Sequence, residues 1–257
     1  MKKLNMIFLV LVLALSTFQF LRFQWGVGIE LNTNHILEAP GNSFYFGTDS
    51  LGRDFLSRVF LGGFYSLSVA MLAASLAIFL SLFFAVVSEF FLKKFEVLFL
   101  RSLDVFQSIP SFILVALICL FLPFQNVYSL SLCIALVSWM TPFRLLRGYV
   151  RQTLLEDFVT ASRVLGATRW HVMRTHLWLY LKGPVKNLWL TLIPQAILYE
   201  SSLSFIGFGI QSPATSWGLL VQEGWRTMAQ FPYLVFFPSL LMAFTCLSLN
   251  YVVGYKN

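Results

Sequence analysis

Residues 64–92 read FYSLSVAMLAASLAIFLSLFFAVVSEFFL, a nearly unbroken apolar run of 29 residues. Wound as a helix rising about 1.5 Å per residue, it is longer than the roughly 30 Å hydrocarbon core of a bilayer requires. The run predicts a membrane-spanning helix that is tilted or protrudes. Working outward, five further apolar runs are long enough to cross: Leu4–Leu21, Val105–Leu122, Val127–Phe143, Pro184–Phe205 and Tyr233–Val253. The expected fold class is an all-α polytopic membrane protein with about six transmembrane helices.

The composition agrees. Of 257 residues 58% are hydrophobic and only 11% are charged, against about 25% charged in a soluble domain. That is too little charge to cover a water-facing surface, and it excludes disorder and coiled coil as well. The 28 Phe residues suit a lipid-facing exterior. The net charge of +7 is distributed unevenly: 14 of the 18 Lys and Arg fall in one set of connections, and only Arg22, Arg53, Arg58 and Arg226 in the other. This bias places both termini in the cytoplasm. It also accounts for the basic excess without a nucleic-acid partner. Lys2-Lys3, the apolar run and the small residues near Ala14–Ser16 have the outline of a signal peptide, but no clean A-x-A site follows, and the segment reads as a retained first span. The organisation expected is a first helix and external segment over 1–63, then a five-helix core over 64–257 that includes a cytoplasmic loop at 144–183.

That loop is long and basic. Leu154, Phe158, Ala161 and Leu165 step by 4, 3 and 4 and mark one helix face. Gly166 can end that helix in the left-handed conformation, and Thr168 can cap a second helix bearing Trp170, Met173, Leu177 and Leu181. The hairpin so formed is either an amphipathic element resting on anionic lipid or a docking element for a cytoplasmic partner. Outside, GTDSLGRDFLSRVF (47–60) places Thr48 or Asp49 as the cap of a short interfacial helix, or as the start of a helix leading into the second span.

Three stretches carry a family resemblance. Phe158–Tyr180, FVTASRVLGATRWHVMRTHLWLY, resembles the EAA loop of ABC importer permeases, whose pattern is E-A-A-x3-G. Ala161 and Gly166 match; Thr160 replaces the Glu, Ser162 the second Ala, and Leu179 a later Pro. GTDSLGRDFLSRVFLGGFYSLSVA is similar to the entry of the second span in permeases of the dipeptide/oligopeptide class, and ESSLSFIGFGIQSPATSWG (200–218) to a further run of that family. The chain most resembles the second, C-type permease of these importers. The resemblance implies a type I ABC importer permease fold in a bacterial cytoplasmic membrane, and a subunit forming half of the pathway for peptides or similar small solutes. It implies a second permease, cytoplasmic ABC ATPases and an extracytoplasmic solute-binding protein as partners, with membrane lipid around them. It implies ATPase coupling through Phe158, Thr160, Ala161, Ser162, Leu165 and Gly166, and an external motif comprising Gly47, Thr48, Asp49, Gly52, Arg53 and Asp54.

Within the spans, Ala196, Glu200 and Ser204 form an i, i+4, i+8 stripe continued by Gly207. It is either a helix-packing face or a pathway lining. Asp104 and Gln107 open the third span, as an interfacial cap or as solute contacts. Pro110, Pro142, Pro194 and Pro238 mark kinks. No catalysis is expected. His35, His171 and His176 lie outside the spans, Cys119, Cys133 and Cys246 sit in apolar runs, and neither a P-loop nor a metal-ligand spacing occurs. No cofactor or metal is expected. The contrasting function is a self-contained secondary transporter or an intramembrane enzyme, for which the sequence offers no internal repeat.

Overall fold

Asp54 sets where the longest helix begins. Its carboxylate accepts from the Ser57 backbone N–H at 3.1 Å, an N-terminal cap. The helix it opens, α2 (Phe55–Phe90), has 36 residues, or about 54 Å of length. It starts nine residues before the apolar run and is overlong, as expected. The computed structural model describes residues 2–24, 31–90, 96–122 and 126–254. Phe91–Leu92, and Lys93, Lys94 and Lys256 from the charge asymmetry, lie outside the described residues.

The other elements are α1 (Lys2–Gln24), a short 3-10 turn at Thr33–His35, α3 (Glu96–Gln107), α4 (Ser111–Phe121), α5 (Val127–Ser138), α6 (Met140–Leu154), α7 (Asp157–Val164), α8 (Arg169–Val172), α9 (Trp178–Phe205), α10 (Trp217–Trp225) and α11 (Tyr233–Gly254). Among the described residues the chain is helical, with one isolated β-bridge between Thr48 and Asp54. The position 63/64 falls inside α2. That helix is the centre of the bundle and packs on α1, α5, α6 and α9. Ala70, Ala73, Ala74 and Ala77 are all but fully buried along one face, and small side chains at i, i+3, i+4 and i+7 let neighbouring backbones come close.

By length and composition, α1, α2 and α11 each suffice to cross a membrane, and two bent pairs, α3–α4 and α5–α6, add two crossings. The 28-residue α9 is long enough for the sixth, but it carries too many polar groups to qualify on composition. Two of the expected spans are therefore not single helices. Val105–Leu122 is broken at Ser108–Pro110, where α3 meets α4 at 91°, because proline disfavours the helical conformation in the residue before it. Val127–Phe143 bends by 53° about Trp139 and continues to Leu154. There Pro142 lacks an N–H and its ring crowds the carbonyl of Ser138. Ser81 Oγ donates to the Trp139 carbonyl at 2.7 Å, steadying the bend. Pro194 and Pro238, by contrast, sit inside continuous helices. Asp104 and Gln107 occupy the last turn of α3 rather than the start of the third span, so neither caps it.

The segment 144–183 also departs from expectation. Leu154 ends α6, and Leu155–Glu156 intervene before α7, so Leu154 shares no helix with Phe158. The second arm of the hairpin is continuous with the fifth span through a π-helical stretch, Met173–Leu177. The extra residue of a π turn moves the buried register: Val172, Leu177 and Leu181 face inward, while Trp170 is exposed.

Candidate functional site

The motif at 47–54, expected to be external, folds into a knot around Asp49. Its Oδ1 accepts from the Leu51 and Arg53 backbone N–H groups at 2.8 and 2.9 Å, and its Oδ2 from Arg53 Nε at 2.7 Å and Arg58 Nη1 at 2.8 Å. Thr48 Oγ1 accepts from the Glu38 N–H at 2.8 Å and donates to the His35 carbonyl at 2.5 Å. Neither residue caps a separate interfacial helix, as the second of the two sequence readings anticipated; both hold the turn that leads into α2. Gly52 takes φ +73, and a Cβ there would strike the Asn32 carbonyl, so a side chain is barred twice over.

The knot is tied to distant parts of the chain. Arg58 Nη1 also donates to Glu223 Oε2 on α10 at 2.6 Å. Tyr233 Oη, at the start of α11, donates to the Glu38 and Thr48 carbonyls at 2.9 and 3.0 Å. Phe46 stacks on Phe237 with ring centroids 3.9 Å apart. Sequence reading found Asp49, Gly52, Arg53 and Asp54 but missed Arg58 and Glu223.

The Ala196–Glu200–Ser204 stripe lies inside the bundle, facing α2 and α10. Glu200 is fully buried. Ser66 of α2 donates to its Oε2 at 2.8 Å, Ser201 to the same oxygen at 3.2 Å, and Ser204 to its Oε1 at 2.6 Å. Ser66 Oγ in turn accepts from the Trp217 N–H at 3.1 Å, and Trp217 Nε1 donates to the Val59 carbonyl at 2.9 Å. The indole fits because Gly63 leaves room: a Cβ there would stand 2.9 Å from it. A buried carboxylate needs several donors to offset lost hydration, and this one joins α2, α9 and the segment after Gly207, which turns at φ +92.

A neighbouring face of α9 lines a cavity of about 810 Å³, to which Thr191, Gln195 and Tyr199 contribute. The two helix breaks supply its other walls, with Gln107 and Ser111 from α3–α4 and Ser138 and Thr141 from α5–α6. Gln107 Nε2 reaches Thr141 Oγ1 at 3.5 Å, and Ser138 Oγ is buried without a hydrogen-bond partner in the protein. Cavities at broken helices near mid-membrane are where transporters hold their cargo. The sequence signal was available but faint: Thr191 and Gln195 are i, i+4 on one face of a polar span, and Pro110 and Pro142 mark the two breaks.

Toward the N-terminal end of α9, about 25 Å from Gln195 along the helix, the chain leads back through the π stretch and α8 to α7. Its C-terminus has paired closing bonds, Ala167 N–H to the Ser162 carbonyl and Gly166 N–H to the Arg163 carbonyl, each 3.0 Å. Gly166 adopts φ +86, the left-handed conformation its sequence position suggested. Thr168 Oγ1 accepts from the His171 N–H at 3.2 Å, starting the next helix as expected. Val159 is fully buried and Phe158 stacks on Tyr180 at 5.2 Å, so the helix is anchored on one side. The other side is open: Thr160 and Ala161 are exposed, Ser162 is half-buried, and Leu165 is 88% exposed. Of the expected apolar face, then, Phe158 turns toward the protein while Ala161 and Leu165 turn away. Among the described residues no group of three His, Cys, Asp or Glu is placed to hold a metal ion.

Several known proteins resemble this chain along most of its length. The oligopeptide transport system permease protein OppC of Salmonella typhimurium is 32% identical over 96% of this chain and 79% of its own. The protein of the same name from Bacillus subtilis is 28% identical over 98% and 81%. The dipeptide transport system permease protein DppC of Lactococcus lactis is 28% identical over 82% and 61%. Residues 77–255, most of the bundle and the whole α7–α8 arm, match the family model for the binding-protein-dependent transport system inner membrane component. With its apolar crossings, its break-lined cavity and its exposed α7, the chain belongs to this family of membrane transport components.

Proposed function

We propose that the chain is a permease subunit of an ATP-driven ABC importer and forms half of the translocation pathway for peptides or similar small solutes. The names of its relatives support the cargo class. The observation that carries the mechanism is α7, a short helix anchored by Val159 and Phe158 that leaves Leu165 88% exposed beside a sharp Gly166 stop. Burying such a leucine in a partner's groove is worth about 2 kcal/mol, and small residues at Ala161 and Gly166 permit close approach. In this reading cytoplasmic ATPases grip α7, with Thr160 supplying a hydroxyl where the family pattern has a carboxylate. A second, non-identical permease covers the cavity, and a solute-binding protein delivers cargo to the side of the Asp49 knot. Residues 64–257 form the permease core, and both termini lie in the cytoplasm of a bacterial cell. Family membership gives no support to a self-contained secondary transporter or an intramembrane enzyme.

Purification of the importer in mild detergent tests the reading. The wild-type chain is expected to bring down an ATPase. Leu165→Asp is expected to lose it at least tenfold while keeping the melting temperature of the permease, since Leu165 contributes little to the fold. A wild-type chain that transports alone in liposomes sinks the proposal.

A further inference from the structure

The lining of the 810 Å³ cavity has a chemical character of its own. Among the described residues that line it there is no Asp, Glu, Lys, Arg, His or Cys. Its polar groups are the amides of Gln107 and Gln195 and the hydroxyls of Ser111, Ser138, Thr141, Thr191 and Tyr199, each of which offers both a donor and an acceptor. The charged residues that flank this lining on α3 and α6, Asp104 and Arg144, are paired with each other at 2.5 Å. Gln195 is exposed and lies ten residues from the outer end of α9, or about 15 Å, half the thickness of a hydrocarbon core.

A fixed charge at such a depth would hold an oppositely charged solute and repel a like-charged one, because attraction and repulsion both grow as the dielectric falls. A neutral amide does neither; it matches the donor–acceptor pattern that every peptide bond repeats. The lining also has none of the carboxylate, imidazole or thiolate groups that bind metal ions. From this we infer that the cavity contacts its cargo through uncharged hydrogen bonds to the peptide backbone. This chain's half of the wall therefore favours neither sign of side-chain charge, with Gln195 as the residue that keeps it indifferent. The inference rests on the reading of the chain as half of a peptide pathway.

The test uses the complete importer in right-side-out membrane vesicles, supplied with saturating binding protein and one of three tripeptides: Ala-Ala-Ala, Ala-Glu-Ala or Ala-Lys-Ala. Each variant's maximal rate is divided by the wild-type rate for the same peptide, which removes the binding protein's own preference. Gln195→Glu is expected to slow the acidic peptide at least tenfold more than the basic one, and Gln195→Lys to do the reverse. If both variants carry all three peptides in wild-type proportion, the inference is overturned. A wild-type importer that moves none of the three overturns the underlying peptide reading instead. A second measurement does not depend on the charged variants assembling. In a background with Cys119, Cys133 and Cys246 replaced by Ala, Gln195→Cys should react with a cationic and an anionic methanethiosulfonate at rates within about threefold once each is divided by that reagent's rate with free 2-mercaptoethanol, and Ala-Ala-Ala should slow both. A preference above tenfold for either sign defeats the proposal.

Discussion

Arg58 stands between two carboxylates from distant parts of the chain, Asp49 at 2.8 Å and Glu223 at 2.6 Å. Its side chain is 7% exposed and that of Asp49 4%, whereas that of Glu223 is 37% exposed. Removing one partner of a buried pair strands the other, at a cost of about 3–5 kcal/mol. Arg53 still serves Asp49, which moderates the loss. Arg58→Met is therefore expected to destabilise the detergent-solubilised protein by about 3 kcal/mol, and Glu223→Gln by under about 1 kcal/mol; thermal unfolding followed by tryptophan fluorescence measures both. Sequence made half of this arrangement legible. Asp49, Gly52, Arg53 and Asp54 lie within six consecutive positions, and their turn chemistry is local. Glu223 lies 165 residues beyond Arg58, and no periodicity or spacing links two such positions. Glu200 was likewise readable as a costly intramembrane carboxylate, but its donor Ser66 was not.

At the scale of elements, the crossings were legible and their breaks only partly so. A proline announces a bend, yet Pro110 accompanies a 91° elbow while Pro194 and Pro238 leave their helices unbroken. The local sequence does not separate the two outcomes. The π stretch at Met173–Leu177 was invisible for the same reason. A face drawn at steps of three and four put Trp170 with Leu177, whereas the protein pairs Val172 with Leu177 at a step of five. Deleting Thr175 should restore a regular α-helix there and rotate α7 by about 100° relative to the bundle. The expected result is unchanged helical content by circular dichroism, with transport reduced more than tenfold and ATP hydrolysis in the assembled importer freed from its dependence on solute.

For the molecule as a whole, orientation is the claim most open to direct test. A membrane-impermeant maleimide added to intact cells should label Tyr45→Cys, 73% exposed beside the Asp49 knot, within minutes. It should leave Trp170→Cys, 65% exposed on the α7–α8 arm, unlabelled until the membrane is opened. Reversed labelling would contradict the charge asymmetry from which the orientation was read. Five of the six expected crossings, those that qualify by length and composition, were legible because apolar length is a strong signal. The cavity was not, because it belongs to no single run: it is the space left where two broken helices and one face of α9 fail to meet. Its walls come from residues nearly a hundred positions apart, Gln107 and Tyr199 among them.

The elbow at Ser108–Pro110 has a mechanical corollary. Arg144 and Arg147 of α6 hold Asp104 and Glu96 of α3, so the two helices are yoked. At its far end α6 runs through only Leu155 and Glu156 into α7. A shove on α7 would thus travel up α6 and pull on α3. The right-angled joint would then act as a bell crank, turning a sideways thrust into a tilt of α4, whose Ser111 and Leu114 line the cavity.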